Sequence, residues 1–201
     1  MDIGANSGIY SIVANCINPK ANIHAFEPVE RTSELLLKNI ALNVPNNITF
    51  HKKAVSNKTG MATFYDVETQ SQYSASLNEE MLNQIENRIT YKVDVVSLDD
   101  YSAIKNLKVD LIKLDVEMHE KEALDGMRNI ILKDRPILLI EILTEQLGKE
   151  ITLFFNGLDY LYFNIDEKNG LSEVSEISKS NTYNYLILPS EKFTEFQKIA
   201  F

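Results

Sequence analysis

Glycine is scarce in this chain, seven among 201 residues, yet two of the seven fall within the opening stretch Asp2-Ile3-Gly4-Ala5-Asn6-Ser7-Gly8. An apolar residue leads into them and an apolar run, Ile9 to Ile17, leads out. That order predicts a strand, a tight turn that glycine's missing Cβ permits, and a helix. In an open parallel sheet, ligands sit beyond the carboxyl ends of the strands, so this first turn is where a binding site is expected.

The rest of the chain keeps the same alternation of short apolar and amphipathic segments. Ile9 to Ile17 reads as a helix stopped by Asn18-Pro19, and Asn22 to Phe26 as a buried strand ending at Glu27-Pro28. Glu30 to Asn43 reads as a helix whose apolar face is Leu35, Leu36, Ile40 and Leu42, followed by a strand from Ile48 to Ala54. Residues 57–90 are more polar and read as an insertion carrying a short strand, Thr63 to Tyr65. Tyr91 to Val96 alternates as a strand, and Ser97-Leu98-Asp99-Asp100 offers oxygens to cap a short helix. Val109 to Asp115 is a central strand, His119 to Leu132 a helix, Pro136 to Ile142 a strand and Glu145 to Phe155 a helix. Two last strands, Tyr160 to Ile165 and Tyr183 to Leu188, flank a polar loop. The fold predicted is α/β: a doubly wound, mostly parallel sheet with one antiparallel strand near the C-terminus, in a single domain over 1–201.

A chain of this length buries roughly 70% of its unfolded surface in one core. Its net charge of −9 lacks the basic footprint that phosphate backbones require, so no nucleic-acid partner is expected. No apolar run reaches bilayer length. The single cysteine, Cys16, cannot form an internal disulfide and no leader is recognisable, which predicts a reducing cytoplasm.

Glu27, at the end of the second strand, should stand about 4.8 Å from the first strand, close enough to accept both hydroxyl protons of a ribose lying over the glycine turn. The same carboxylate also fits a cap on the helix that begins at Pro28, and the turn composition alone fits a turn with no ligand equally well. The spacing Gly4-Ala5-Asn6-Ser7-Gly8 departs from the G-x-G-x-x-G of dinucleotide enzymes, and Asp2 beside it would repel a pyrophosphate. S-adenosylmethionine fits better: Asp2 can help hold its ammonium while the loop amides of Gly4, Ala5, Asn6 and Gly8 meet its carboxylate.

Four segments, Asp2 to Ser11, Phe26-Glu27-Pro28, Val96 to Asp100 and Ile112 to Glu117, together resemble FkbM-type methyltransferases, and the resemblance continues through Gly126 and Pro136 to Glu141 to Asn184 to Pro189. It implies a Rossmann-like class I methyltransferase fold using S-adenosylmethionine, usually on a hydroxyl oxygen of a small molecule or saccharide. Two departures stand out. Similar proteins read Asp-Val-Glu-Gly-x-Glu where this chain has Met118 at the Gly position, which predicts strain there. They also carry an apolar half-strand and a helix before the first acidic residue, where only Met1 precedes Asp2; this predicts a shortened first strand and a chain that is part of a longer one.

The acceptor hydroxyl must lose a proton, and Asp115, Glu117 and His119 follow the central strand. Glu117 and His119 are the expected catalytic pair, with Asp115 on the cofactor side. A Mg²⁺ held by Asp115, Glu117 and Glu141 is the less favoured reading, and no metal is expected. Thr69 to Ser76 is a candidate wall of the acceptor pocket, or equally a surface loop. His24 and His51 read as structural. Two rival functions remain: a non-catalytic S-adenosylmethionine-binding module, and a nicotinamide-dependent oxidoreductase.

Overall fold

The computed structural model describes residues 1–43, 47–67, 75–79, 88–101, 104 and 106–200. The chain packs as two compact units, Met1–Asn106 with Asp115–Met127, and Leu107–Leu114 with Arg128–Phe201.

The first unit is wound β1 (Asp2–Ile3), α1 (Ile9–Ile17), β2 (Ile23–Phe26), α2 (Glu30–Asn43), β3 (Ile48–His51), with β2 parallel to both neighbours. Register sets Ile3 opposite Phe26, and Phe26 opposite His51, so the three strands end side by side. Leu36 of α2 is fully buried against Ala5 and Ala25, with Ile40, Ile48 and Phe50 around them. Thr32, Leu36 and Ile40 recur every four residues and form the inward stripe. Leu35 and Leu42, expected on that face, are 40% and 80% exposed because they are turned off it. On α1 only Ser11 is buried, and its Oγ donates to Asp2 Oδ2 at 2.7 Å.

The strand expected over Ile48 to Ala54 divides. Lys53 N–H closes on the His51 carbonyl at 2.8 Å, a tight turn that ends β3 and releases β4 (Ala54–Val55) into a second sheet. There β4 runs parallel to β6 (Arg88–Val96), and β5 (Gly60–Val67) pairs antiparallel with β6 from Gly60 opposite Val95 to Val67 opposite Arg88. Their core is Val29, Ala54, Phe64, Val93 and Val95. The described part of the expected insertion includes β5, a longer strand than Thr63 to Tyr65 and paired with β6, and most of Thr69 to Ser76 lies outside the described residues.

The helix expected from His119 to Leu132 is two helices, α3 (Glu120–Asp125) in the first unit and α4 (Arg128–Asp134) in the second. The break falls at Gly126 and is set by residues distant in the chain. The Gly126 carbonyl accepts the Asp99 N–H at 2.9 Å and Ser97 Oγ at 3.0 Å, which takes it out of a continuing helical ladder. Ser97 thus binds Gly126 with the hydroxyl that was expected to cap a helix.

The second unit orders its strands β10-β9-β11-β8-β7, where β7 is Leu111–Leu114, β8 Ile137–Glu141, β9 Tyr160–Asp166, β10 Gly170–Val174 and β11 Asn184–Pro189. β7 and β8 are parallel; β11 is antiparallel to β8 and to β9, and β10 to β9. The one reversed strand expected is β11. β10 adds a second, in the segment read as a polar loop, because Asp166 accepts the N–H groups of Lys168 and Asn169 and Gly170 takes φ 86° to close a hairpin. Phe163, Leu186 and Leu188 centre this core. α5 (Glu145–Phe155), capped by Thr144 Oγ1 on the Leu147 N–H, buries Leu147, Ile151 and Phe155, and α6 (Phe193–Ala200) follows a 3-10 turn at Ser190–Lys192. Among the described residues no helix is long and apolar enough to cross a membrane.

A Cβ at Gly126 would lie 1.9 Å from the Ser56 carbonyl oxygen. Gly126→Ala, which helix propensity alone would favour, should therefore destabilise the protein by about 1–3 kcal/mol. Urea denaturation checks the sign.

Candidate functional site

The first turn is held by its own backbone. Gly4 and Ala5 both donate to the Phe26 carbonyl at 3.0 Å, Gly8 N–H donates to the Ala5 carbonyl at 2.8 Å, and Asn6 N–H donates to Glu27 Oε2 at 2.9 Å. These four amides, expected to meet a ligand carboxylate, are already paired within the protein. The glycines have a matching reason. Gly4, at φ 77°, would set a Cβ 1.8 Å from the Asp115 carbonyl oxygen, and Gly8, at φ 80°, would set one 3.0 Å from Leu36. What the missing side chains make room for is another turn and a helix.

Glu27 is 6% exposed and sits at the junction of β2 and α2. Besides Asn6, it accepts the Val29 N–H and the Thr32 hydroxyl on Oε1, each at 2.9 Å. The carboxylate therefore caps the start of α2 and fixes Asn6, itself left-handed at φ 48°, in one stroke. Glu27 also faces an open cavity. Gly4, Asn6 and Glu27 form one part of its wall; Val29, Ala54, Val55, Phe64 and Leu77 an apolar part; and Asp115, Glu117 and His119 a third. All these residues belong to the first unit.

Of the residues expected at a site, Gly4, Asn6, Glu27, Asp115, Glu117 and His119 line this cavity; Asp2, Ala5 and Gly8 do not. Ala5 is core, and Asp2 is 4% exposed, with Oδ2 on Ser11 and Oδ1 buried without a partner. Glu141 ends β8 in the second unit.

The turn after Asp115 is unusual. Glu117 and Met118 take φ 56° and 71°, a conformation that costs about 1–2 kcal/mol per L-residue. The strain expected at Met118 is present, and Glu117 shares it. Glu120, 1% exposed, closes the turn by accepting the Val116 N–H on Oε1 at 3.1 Å, while its Oε2 is buried without a partner. Burial pushes the Glu120 carboxyl up to about 8, helped by the negative charges of Asp115 and Glu117 and opposed by the Val116 N–H.

His119 precedes α3, its Nε2 3.0 Å from Ser56 Oγ and its Nδ1 3.6 Å from Glu122 Oε2. Burial holds its pKa below the ordinary histidine value, with Glu122 opposing and Lys58 adding to the shift. The ring is thus neutral at pH 7. Elsewhere His51 stacks on Phe26 at 4.5 Å and joins His24 Nδ1 at 2.9 Å to Tyr101 OH at 3.1 Å; burial pulls His51 down to about 4.

Sequence reasoning missed Thr32, Ser56 and Asn78, and it placed Ser76 only as the end of a candidate pocket wall; these residues hold Glu27, His119 and the strained turn. Each acts across a gap of several to many residues, and no local spacing signals it. Only Glu120, in the pattern around Met118, was within reach of the sequence.

Because the folded Glu120 carboxyl titrates above its ordinary value of 4.5, the stability tied to its proton is present below that pH and is lost as pH rises through about 8. Thermal stability should fall between pH 5 and pH 9, by up to about 1.4 kcal/mol per pH unit, and Glu120→Gln should flatten that slope. An unchanged slope in the variant, measured by calorimetry, would place the titration elsewhere.

Comparison with known proteins places the family and the fold. The family model of the methyltransferase FkbM domain matches residues 2–162. A curated relative, Methyltransferase 1 of Beauveria bassiana, is 26% identical over 142 residues, covering 63% of this chain and 57% of its own length. The crystal structure of methyltransferase FkbM from Methylobacillus flagellatus superposes with a TM-score of 0.59 at 16% identity, covering 92% of this chain and 42% of that one. Precorrin-6y C5,15-methyltransferase from Geobacter metallireducens gives 0.50 at 14% identity over 92% of this chain and 76% of that one. The chain thus spans about half the length of the first two proteins, and the fold it shares with these structures is the Rossmann-like α/β fold of class I methyltransferases. With the family model matching four-fifths of its length, the chain belongs to the FkbM methyltransferase domain family.

Proposed function

We propose that this domain transfers a methyl group from S-adenosylmethionine to a hydroxyl oxygen of a small molecule or saccharide. The observation that carries the reading is the cavity itself, where a buried carboxylate, an apolar wall and a second acidic edge face one space.

These residues fit the cofactor. Glu27, both oxygens fixed by protein donors, would hold ribose hydroxyls. Val29, Ala54 and Val55 would meet the flat apolar base, and Asp115 would face the cationic end. When bound, the cofactor supplies an electrophilic methyl on a sulfonium, open to in-line displacement. The protein's tasks are then to orient the acceptor, to exclude water and to remove one proton. Glu117 takes that proton in this reading. His119, neutral and fixed between Ser56 and Glu122, forms the adjoining wall and is a second acceptor of the proton. Asp2, Ala5 and Gly8 shape the turn and have no assigned contact with the cofactor.

Titration calorimetry with S-adenosylhomocysteine and with NAD tests the class: binding of the first alone is expected, and preference for NAD would sink the reading. Glu27→Gln, which keeps the size of the side chain, should weaken S-adenosylhomocysteine by roughly 1.5–3 kcal/mol. Glu117→Gln should lower methyl transfer to a panel of methyl glycosides by about 10²–10⁴-fold with cofactor affinity intact. Cofactor binding by the unaltered protein with no transfer to any hydroxyl would point to a binding module.

A further inference from the structure

Glu117 and Met118 are consecutive non-glycine residues in the left-handed region, so neighbouring groups must hold them there. Two side chains do so. Ser76 Oγ donates to the Glu117 carbonyl, and Asn78 Nδ2 donates to the Met118 carbonyl at 2.9 Å. Ser76 Oγ also accepts the Asn78 N–H at 2.9 Å, which ties the two grips together. Ser76 is fully buried, and its own N–H and carbonyl both pair with Tyr65 of β5, at 2.9 and 2.8 Å. The residues beside it, Ala75 and Leu77, line the cavity.

The direction of a carbonyl reports the ψ angle of its residue, so capturing the carbonyls of Glu117 and Met118 fixes the backbone at both. A left-handed backbone points Cβ, and with it the Glu117 carboxylate, in a direction a right-handed turn would not. The same short stretch thus builds part of the cavity wall and sets the base of the acid across it.

We propose that Ser76 and Asn78 are positioning residues for Glu117, and that the 75–79 segment couples the shape of the acceptor wall to the aim of that carboxylate. The proposal rests on the reading of Glu117 given above. Occupation of the cavity against Ala75 and Leu77 bears on the segment that grips the turn, so an acceptor of the right shape keeps Glu117 aimed and a poorly fitting one does not.

Two measurements on Ser76→Ala and Asn78→Ala test this. The first is hydrogen exchange by NMR, which needs no turnover. The Val116 amide, bonded to Glu120 within the turn, should exchange at least tenfold faster, while the Gly4 and Ala5 amides, bonded to Phe26, should not change. The second is methyl transfer to the methyl glycoside on which the unaltered protein is most active. Turnover should fall at least tenfold with S-adenosylhomocysteine affinity within twofold. In a Glu117→Gln background, Asn78→Ala should lower turnover no further, because its effect passes through the residue already removed. Unchanged Val116 protection in both variants overturns the proposal, as does full turnover with protection lost, or an equal further loss in the Glu117→Gln background. If the unaltered protein transfers no methyl group, the functional reading falls by itself and the exchange measurement still decides whether the grip exists.

Discussion

One carboxylate organises the site. Glu27 accepts from Asn6 in the first turn and from Val29 and Thr32 at the start of α2, so a single buried acid fixes the two chain segments that follow β1 and β2. Leaving it unpaired at 6% exposure would carry a heavy desolvation cost; three donors offset that cost and in doing so orient both oxygens. The carboxylate is preorganised before any ligand arrives, which is the condition under which hydrogen bonds to a ligand add most to affinity.

A second constraint is steric. The Gly4 Cα stands so close to the Asp115 carbonyl that no side chain fits between them. That approach brings the acid-bearing turn beside the first turn, and the N–H of Asp115 meets the Ile3 carbonyl at 3.1 Å. Glycine in this turn is therefore required by the protein's own backbone. The functional consequence is the same as if a ligand required it, since the two turns it brings together are two walls of one cavity.

Much of this was legible in the sequence, for physical reasons. The bounds of α1, α2 and α5 follow the segments read from residue type, with Asn18-Pro19 ending α1, although α1 buries only Ser11 and α2 turns Leu35 and Leu42 outward. Glu27 was recognisable because it ends a strand one βαβ step after the glycine turn. Of the two uses considered for it, cap and ribose holder, the carboxylate performs the first, and it also lines the cavity in which the second is proposed. Other features depend on contacts that sequence spacing does not encode. The split of the expected helix at Gly126 is set by Ser97, Asp99 and Ser56, all distant in the chain. β10 had a signal, Asn169-Gly170, which marks a hairpin turn, but its strand is mostly polar and exposed and so reads as loop. The pairing of the loop amides is likewise a tertiary matter: whether an N–H in a glycine turn waits for a ligand or meets the next strand's carbonyl depends on register alone.

The account comes down to where an adenosyl ligand sits. A crystal structure of the protein with S-adenosylhomocysteine tests it most directly. The prediction is a ligand within the cavity of the first unit, its ribose hydroxyls within hydrogen-bond distance of Glu27 and its base against Val29, Ala54 and Val55. A ligand bound at another surface, or one in this cavity whose ribose lies away from Glu27, would contradict it.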